Sequence, residues 1–444
     1  MSRPQGLYSA FVDTAILAAV RTPWVDCGGA LAQVSPIDLG IKVGRAVLMR
    51  AGVDSAVVDC VLAGSMAQAS FDAYMLPRHI GLYSGVPQAV PALAVQRICG
   101  TGFELLRQAG MEVANGAERV LCVAAESMSR NPIAAYTHRG GFRLGAPVQF
   151  KDFLWEALFD PAPGIDMIAT AENLASRYGI QRTQVDAFAL ASFERALAAQ
   201  QQGWYAEELV AVGNERFALP GYQDRAIELP RGVERVEQDS HPRSTSLAAL
   251  ARLRAVHAGG VQTAGNSCAV VDGAAAALVG RESTASGPVL ARLLAVTAVG
   301  VAPEVMGIGP VEAIRLLLAR SELSLDQVDL FEINEAQGAQ VLAVQQELQI
   351  DSARLNCYGG SIALGHPLAA TGLRLCMSLA RQLRQGNLRY GVAAACIGGG
   401  QGMAVLIENP GFRPESQNGE REASRVWMPP AWLPLRVACR LQKQ

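Results

Sequence analysis

The feature that most constrains this chain is an internal repeat. Arg45-x-x-Leu48-x-Arg50 recurs as Arg315-x-x-Leu318-x-Arg320. Val58-Asp59 recurs as Val328-Asp329, again 270 positions on (329 less 59). The same offset places Thr101-Gly102 on Thr371-Gly372, Leu105 on Leu375, Gly116 on Gly386, Arg119 on Arg389 and Ala124-Ala125 on Ala394-Ala395. One offset held without a gap over about 80 residues exceeds what shared helix composition produces. The reading is two copies of one unit, near 10–130 and 285–408. In a duplicated protein, the active site is expected where the copies meet, with a contribution from each.

Each copy reads as α/β. Residues 12–20 form a compact apolar run, a buried strand. Ser35-Pro36-Ile37-Asp38 has the chemistry of a helix start, and Gly52 supplies its stop. Residues 57–63 make a second strand. Alternation of this kind predicts a sheet covered by helices. Residues 131–249 differ in character and read as an inserted subdomain, a candidate lid. They carry loop segments and one clear helix, with Thr183 as its expected N-cap and Gly203 as its stop. The first half is expected to be completed by about 250–284. Residues 409–444 read as a poorly ordered tail or, alternatively, a docking segment. With 444 residues, two or three domain-sized units are expected. A net charge of −2 gives no basic excess for non-specific nucleic-acid binding. No run of 18 apolar residues predicts a membrane span. Residues 1–13 show neither a transit nor a secretory pattern. Nine cysteines without CxxC pairs argue against structural zinc and a disulfide framework, so a reducing cytoplasm is expected.

Four segments could carry chemistry. Cys99 sits between an apolar run and a helical pattern, in Arg97-Ile98-Cys99-Gly100-Thr101-Gly102. A cysteine at a helix N-terminus meets free N–H groups and the positive dipole end, which favour the thiolate. The alternative is a small buried cysteine. His366 lies in a Gly-rich loop before a helix, three residues from Ala369, the position matching Cys99 in the second copy. Packing of the copies about a pseudo-two-fold axis would pair thiol with imidazole; a structural histidine is the alternative. Cys396 precedes Gly398-Gly399-Gly400, a hairpin-like turn that lacks the spacing of a phosphate loop. It suits an acid/base thiol beside exposed N–H groups, or a core position. Asn334 ends the strand 328–333, placed either to orient a water or carbonyl or to cap a helix.

Together these segments resemble the thiolase family. Its nucleophile motif is similar to Cys99-Gly100-Thr101-Gly102, and its asparagine motif to Asn334-Glu335-Ala336. Its histidine motif is similar to Gly359-Gly360 through Gly365-His366-Pro367, and its second cysteine motif to Cys396-Ile397-Gly398-Gly399-Gly400. Thr263-Ala264-Gly265-Asn266 and Met306-Gly307-Ile308-Gly309-Pro310 also match, and coverage runs from about 12 to 408. The resemblance implies a five-layer αβαβα fold and exchange of acyl groups between acyl-CoA thioesters. It implies Cys99 as nucleophile, His366 as its base, Asn334 as holder of a water at the thioester oxygen, and Cys396 as the acid/base at the α-carbon. Gly398 and Cys99 would supply N–H groups to the acyl oxygen. It implies contacts to CoA or the acyl group from Met167, Arg243, Ala264, Cys268, Met306, Ala336 and Gln337. CoA is then a cosubstrate, no metal or bound cofactor is needed, and a homodimer or homotetramer is implied.

The chain departs from the family pattern at several positions. Gln337 stands where Phe is usual, Ile168 where Gly is usual, and Asp166 where the acetoacetyl-type members carry His. Cys268 replaces a serine, His257 an aromatic residue, and Ala369 a glycine. These changes point to a non-standard acyl group. A ketosynthase-like condensing enzyme is the rival within enzymes, and Cys396 discriminates against it. A non-catalytic acyl-CoA or lipid-binding homologue is the rival outside them.

Overall fold

A computed structural model describes residues 5–66, 71–136 and 138–414. The tail expectation therefore falls, from residue 415 on, outside the described residues. The first copy contributes strands β1 (Thr14–Arg21), β2 (Cys60–Gly64), β3 (Ala92–Ala94), β4 (Arg119–Glu126) and β5 (Val271–Arg281). The second contributes β6 (Ala291–Gly300), β7 (Leu330–Ile333), β8 (Tyr390–Ile397) and β9 (Gln401–Glu408). They run in the order β3-β2-β4-β5-β1-β6-β9-β8-β7. The two half-sheets join where Ala291 lies opposite Ile16 and Arg292 opposite Ala15, and the N-terminal strand Leu7–Ala10 also pairs with β6. In the first half β3–β2 and β2–β4 are parallel, in the second half β7–β8 is parallel, and the remaining neighbours are antiparallel.

Five layers follow from where the apolar faces go. Helices α1 (Pro36–Ala51) and α2 (Leu76–Tyr83) cover the outer face of the first half-sheet. Two further helices, α3 (Thr101–Ala114) and, in the second copy, Thr371–Gln385, lie between the half-sheets in one shared core. The helices Gly309–Arg320 and Gly338–Leu348 cover the far side. Ser35 caps α1 by accepting from Ile37 N–H, and Gly52 ends it at φ 62°, as the sequence predicts.

The repeat holds with one correction. Cys60 pairs with Val120, whereas Leu330 pairs with Gly391, so the offset grows from 270 to 271 before β8. The cause is one extra residue in the second central helix, 15 residues against 14. The left-handed residue after each helix moves with it: Gly116 in one copy, Asn387 in the other. Side chains that face the shared core confirm the shift: Cys122 and Ala124 in β4, Ala393 and Ala395 in β8. A gapless offset would have turned β8 inside out.

The long insertion between β4 and β5 replaces the tight β8–β9 hairpin of the second copy. Two of its helices are α4 (Met167–Tyr178) and α5 (Arg182–Gln201). We number the later helices α6 (Gly309–Arg320), α7 (Gly338–Leu348) and α8 (Thr371–Gln385). The expected cap of α5 at Thr183 is wrong. Gln181 stands at the cap, and its N–H donates to the Gln184 side chain at 2.7 Å. Asp186 does not cap the helix. It accepts from Arg182 and from Asn266 Nδ2 at 2.8 Å, fastening α5 to the Thr263–Asn266 turn. Phe193 and Ala196 of α5 join the shared core, and α4 packs against α7.

Candidate active site

Cys99 is carried by a single turn, 98–100, that leads directly into α3. Ile98 adopts φ 45°, a left-handed conformation that a β-branched residue rarely takes. That turn projects the Cys99 thiol into a cavity of about 180 Å3. His366, Cys396, Cys268, Met167, Met306, Ala336 and Gln337 share its wall. A larger groove of about 710 Å3 between Arg50, Trp204 and Arg384 contains none of the reactive groups.

Two backbone N–H groups face the Cys99 sulfur, its own and that of Gly398. Gly398 opens the β8–β9 hairpin, in which Gly399 and Gly400 take φ near +80°. The hairpin is thus bent so that its first N–H meets the Cys99 sulfur. The sequence predicts a thiolate; the structure corrects this. Burial pushes the thiol up to about 12, and the two N–H groups only partly oppose it. Cys99 is therefore a thiol at rest that needs a base.

His366, in the same cavity wall, is held from both sides. Asn334 Nδ2 donates to His366 Nε2 at 3.3 Å, and Ser361 donates to Asn334 Oδ1 at 2.7 Å. With Nε2 accepting, the ring proton sits on Nδ1, 2.5 Å from Thr371 Oγ1. Thr371 in turn donates to the Pro367 carbonyl. Burial first, and the charge of Arg374 second, push the imidazole down to about 3. The ring is neutral at pH 7 with its lone pair on Nε2. Cys396, fully buried, is raised well above its ordinary value by burial and by the neighbouring thiols Cys99 and Cys268. It is a protonated acid at rest.

Glu335 locks these parts together. It accepts from Ser192, Asn356 and Ile362 N–H, tying the end of β7 to α5 and to the histidine loop. Glu126, at the end of β4, accepts from Met66 N–H and from Ala369 N–H, and so ties the two copies across the site.

Two sequence-assigned contacts do not reach the cavity wall. Arg243 lies exposed, its guanidinium 4.6 Å from the Phe193 ring centre and hydrogen-bonded to His241. Ala264 is exposed in the turn that Asn266 closes. Sequence reasoning missed Thr371 as the partner of Nδ1, although the repeat had paired it with Thr101. It also missed Met128, Trp155, Leu158 and Leu368 in the wall, which no local motif marks. Asp166 and His257, two separate departures in sequence, touch each other at 3.1 Å. Asp166 also caps α4 through Ala169 N–H.

A half-buried thiol and a neutral imidazole lining one cavity, with two N–H groups converging on the sulfur, define a thiol-dependent acyltransferase. The family models for the thiolase N-terminal and C-terminal domains match residues 14–283 and 287–409. The chain belongs to the thiolase family. It is 38% identical over 400 residues to the human mitochondrial 3-ketoacyl-CoA thiolase, spanning 89% of this chain and 98% of the relative. It is equally 38% identical to an acetyl-CoA acetyltransferase of Pseudomonas aeruginosa, over 89% and 99% of the two chains. The crystal structure of the human mitochondrial enzyme superposes with a TM-score of 0.84 at 37% identity, covering 91% of this chain and 99% of that one.

Proposed function

We propose that this thiolase cleaves 3-ketoacyl-CoA with free CoA to acyl-CoA and acetyl-CoA, or runs the reverse condensation, through an acyl-Cys99 intermediate. One observation carries the reading. Cys99 from the first copy and His366 and Cys396 from the second line one cavity, with Gly398 N–H facing the sulfur. In the cleavage direction, Cys99 adds to C3 of the substrate while His366 Nε2 takes its proton. The N–H groups of Cys99 and Gly398 receive the charge that develops on the C3 oxygen. The C2–C3 bond then breaks, and Cys396 protonates C2 of the departing acetyl-CoA enolate. CoA thiol next attacks the acyl-Cys99 carbonyl, giving its proton to the Cys396 thiolate, and Cys99 leaves by regaining the proton held on His366. Positioned proton transfer contributes roughly 10²–10⁴-fold, and each oxyanion donor about 3 kcal/mol. Asn334 holds Nε2 in its accepting state.

The test is acetyl-CoA release from 3-ketohexanoyl-CoA and CoA. Cys99→Ala is expected to lower kcat by about 10⁴-fold or more. Turnover near the wild-type rate in that variant would remove Cys99 from its role.

We further propose a homo-oligomer. Strand β3 ends the sheet and presents Leu93 half-exposed, an edge suited to pairing with a second copy. A monomeric mass by light scattering would reject this. The 155–168 segment of the insertion, which carries Trp155, Leu158 and Asp166 into the cavity wall, is proposed as its cover. The cytoplasm is proposed as the site of action, a reducing compartment that keeps the eight described cysteines as thiols. Mitochondrial import of a fluorescent fusion would overturn it.

A further inference from the structure

The cavity wall holds one polar group that the chemistry above leaves without a task. Gln337 stands between β7 and α7 with an extended backbone, φ −141° and ψ 146°. Its main chain is fixed by an antiparallel bridge to Ser267, and Ala336 accepts from Cys268 N–H at 3.0 Å. The residue is only 5% exposed, and its side-chain Oε1 is buried with no hydrogen-bond partner. The wall it shares is otherwise dominated by apolar side chains, among them Met128, Trp155, Leu158, Ile168 and Leu368. Asp166, the other unusual polar group in the wall, is already engaged by Ala169 N–H and His257. Among the described residues of the wall, Gln337 is the one with a buried polar atom left unpartnered. A buried amide oxygen left unpaired is unfavourable, and a ligand that brings a donor restores its hydrogen bond.

We propose that Gln337 accepts a hydrogen bond from an N–H or O–H of the bound acyl-CoA and so helps to select the ligand. The inference rests on the thioester reading of this site. The donor has two chemical sources: an amide N–H in the arm of CoA itself, or a hydroxyl on the acyl chain. Neither Cys99 nor His366 makes this contact, so binding and chemistry can be tested apart.

The experiment uses the full chain carrying Cys99→Ala, which holds ligands uncleaved, with and without Gln337→Met. Methionine keeps the volume and removes the amide. Calorimetry measures Kd for free CoA, 3-ketohexanoyl-CoA and 3-keto-5-hydroxyhexanoyl-CoA. Weakening of about tenfold for all three places the donor on the CoA arm. Weakening of that size confined to the hydroxylated thioester places it on the acyl chain. Dissociation constants within twofold for all three overturn the proposal. Gln337→Met is expected to melt no lower than its parent, because no internal hydrogen bond is lost, which separates a binding role from a structural one. Gln337→Glu, which keeps an acceptor oxygen, covers the case in which the methionine variant misfolds. Absence of thiolysis by the wild-type protein would defeat the thiolase reading, while these dissociation constants would still decide the hydrogen bond.

Discussion

Cys99 and His366 share one cavity as two neutral groups, and this sets how the site responds to pH. A preformed thiolate–imidazolium pair would react with an alkylating agent at a rate flat from mild acid to pH 9. A thiol pushed up to about 12 is deprotonated only in proportion to hydroxide, and a base pushed down to about 3 adds no titration above pH 5. Alkylation of Cys99 by iodoacetamide is therefore expected to rise about tenfold per pH unit from 7 to 9. A plateau by pH 7, measured by mass spectrometry of the Cys99 peptide, would contradict this. The tautomer is set by Thr371 at 2.5 Å. Thr371→Val leaves Nδ1–H without its acceptor and is expected to lower kcat by roughly 10²-fold with KM little changed. A change confined to KM would argue against an orienting role. At this scale, the sequence marked Cys99, His366 and Cys396 because each sits in a glycine-flanked turn. It did not mark the Asp166–His257 contact, which joins residues 91 positions apart whose chemistry is ordinary when each is read alone.

The element that decides the site geometry is the crossing of α3 and α8. A Cβ added at Gly102 would stand 2.6 Å from Leu373 N, and one at Gly372 would stand 2.6 Å from Phe103 N. Both contacts are to backbone, so neither can relax by a rotamer change. The two glycines are equivalent in the repeat, and they meet where the copies cross. Because α3 begins two residues after Cys99 and α8 five residues after His366, this closest approach holds the two residues in one cavity. Gly102→Ala and Gly372→Ala are each expected to destabilise the protein by about 1–3 kcal/mol, despite alanine's better helix propensity. Each should also lower kcat, since the helices must part. Chemical denaturation together with steady-state kinetics measures both, and a stabilised variant would remove the crossing from this role. The repeat in the sequence made both glycines visible as a pair. It could not say that they touch, nor that α8 carries one residue more than α3, because alanine-rich strands match equally well at either register.

At the scale of the whole molecule, the two copies cannot be separated into independent units. Their central helices and the inner faces of both half-sheets form one continuous core. Residues 287–409 expressed alone would leave the inner face of α8 and of its half-sheet in water. That piece is expected to show no cooperative thermal transition, whereas co-expression with 1–286 should restore one. A sharp transition in the isolated piece by calorimetry would show an independent fold. The repeat, the α/β class and the candidate trio Cys99, His366 and Cys396 were legible along the chain. These are written in local spacing: turn glycines, strand runs and a repeat offset, all of which depend on near neighbours along the chain. Only the tertiary structure decided that Cys99 is a thiol rather than a thiolate. Helix position argues for the charged form, but the surrounding mass of both copies removes the water that would stabilise it. Only the tertiary structure, too, left Gln337 with an open hydrogen bond while giving Asp166 its partner. Satisfaction of a polar group depends on what distant segments bring to it, and no spacing along the chain records that.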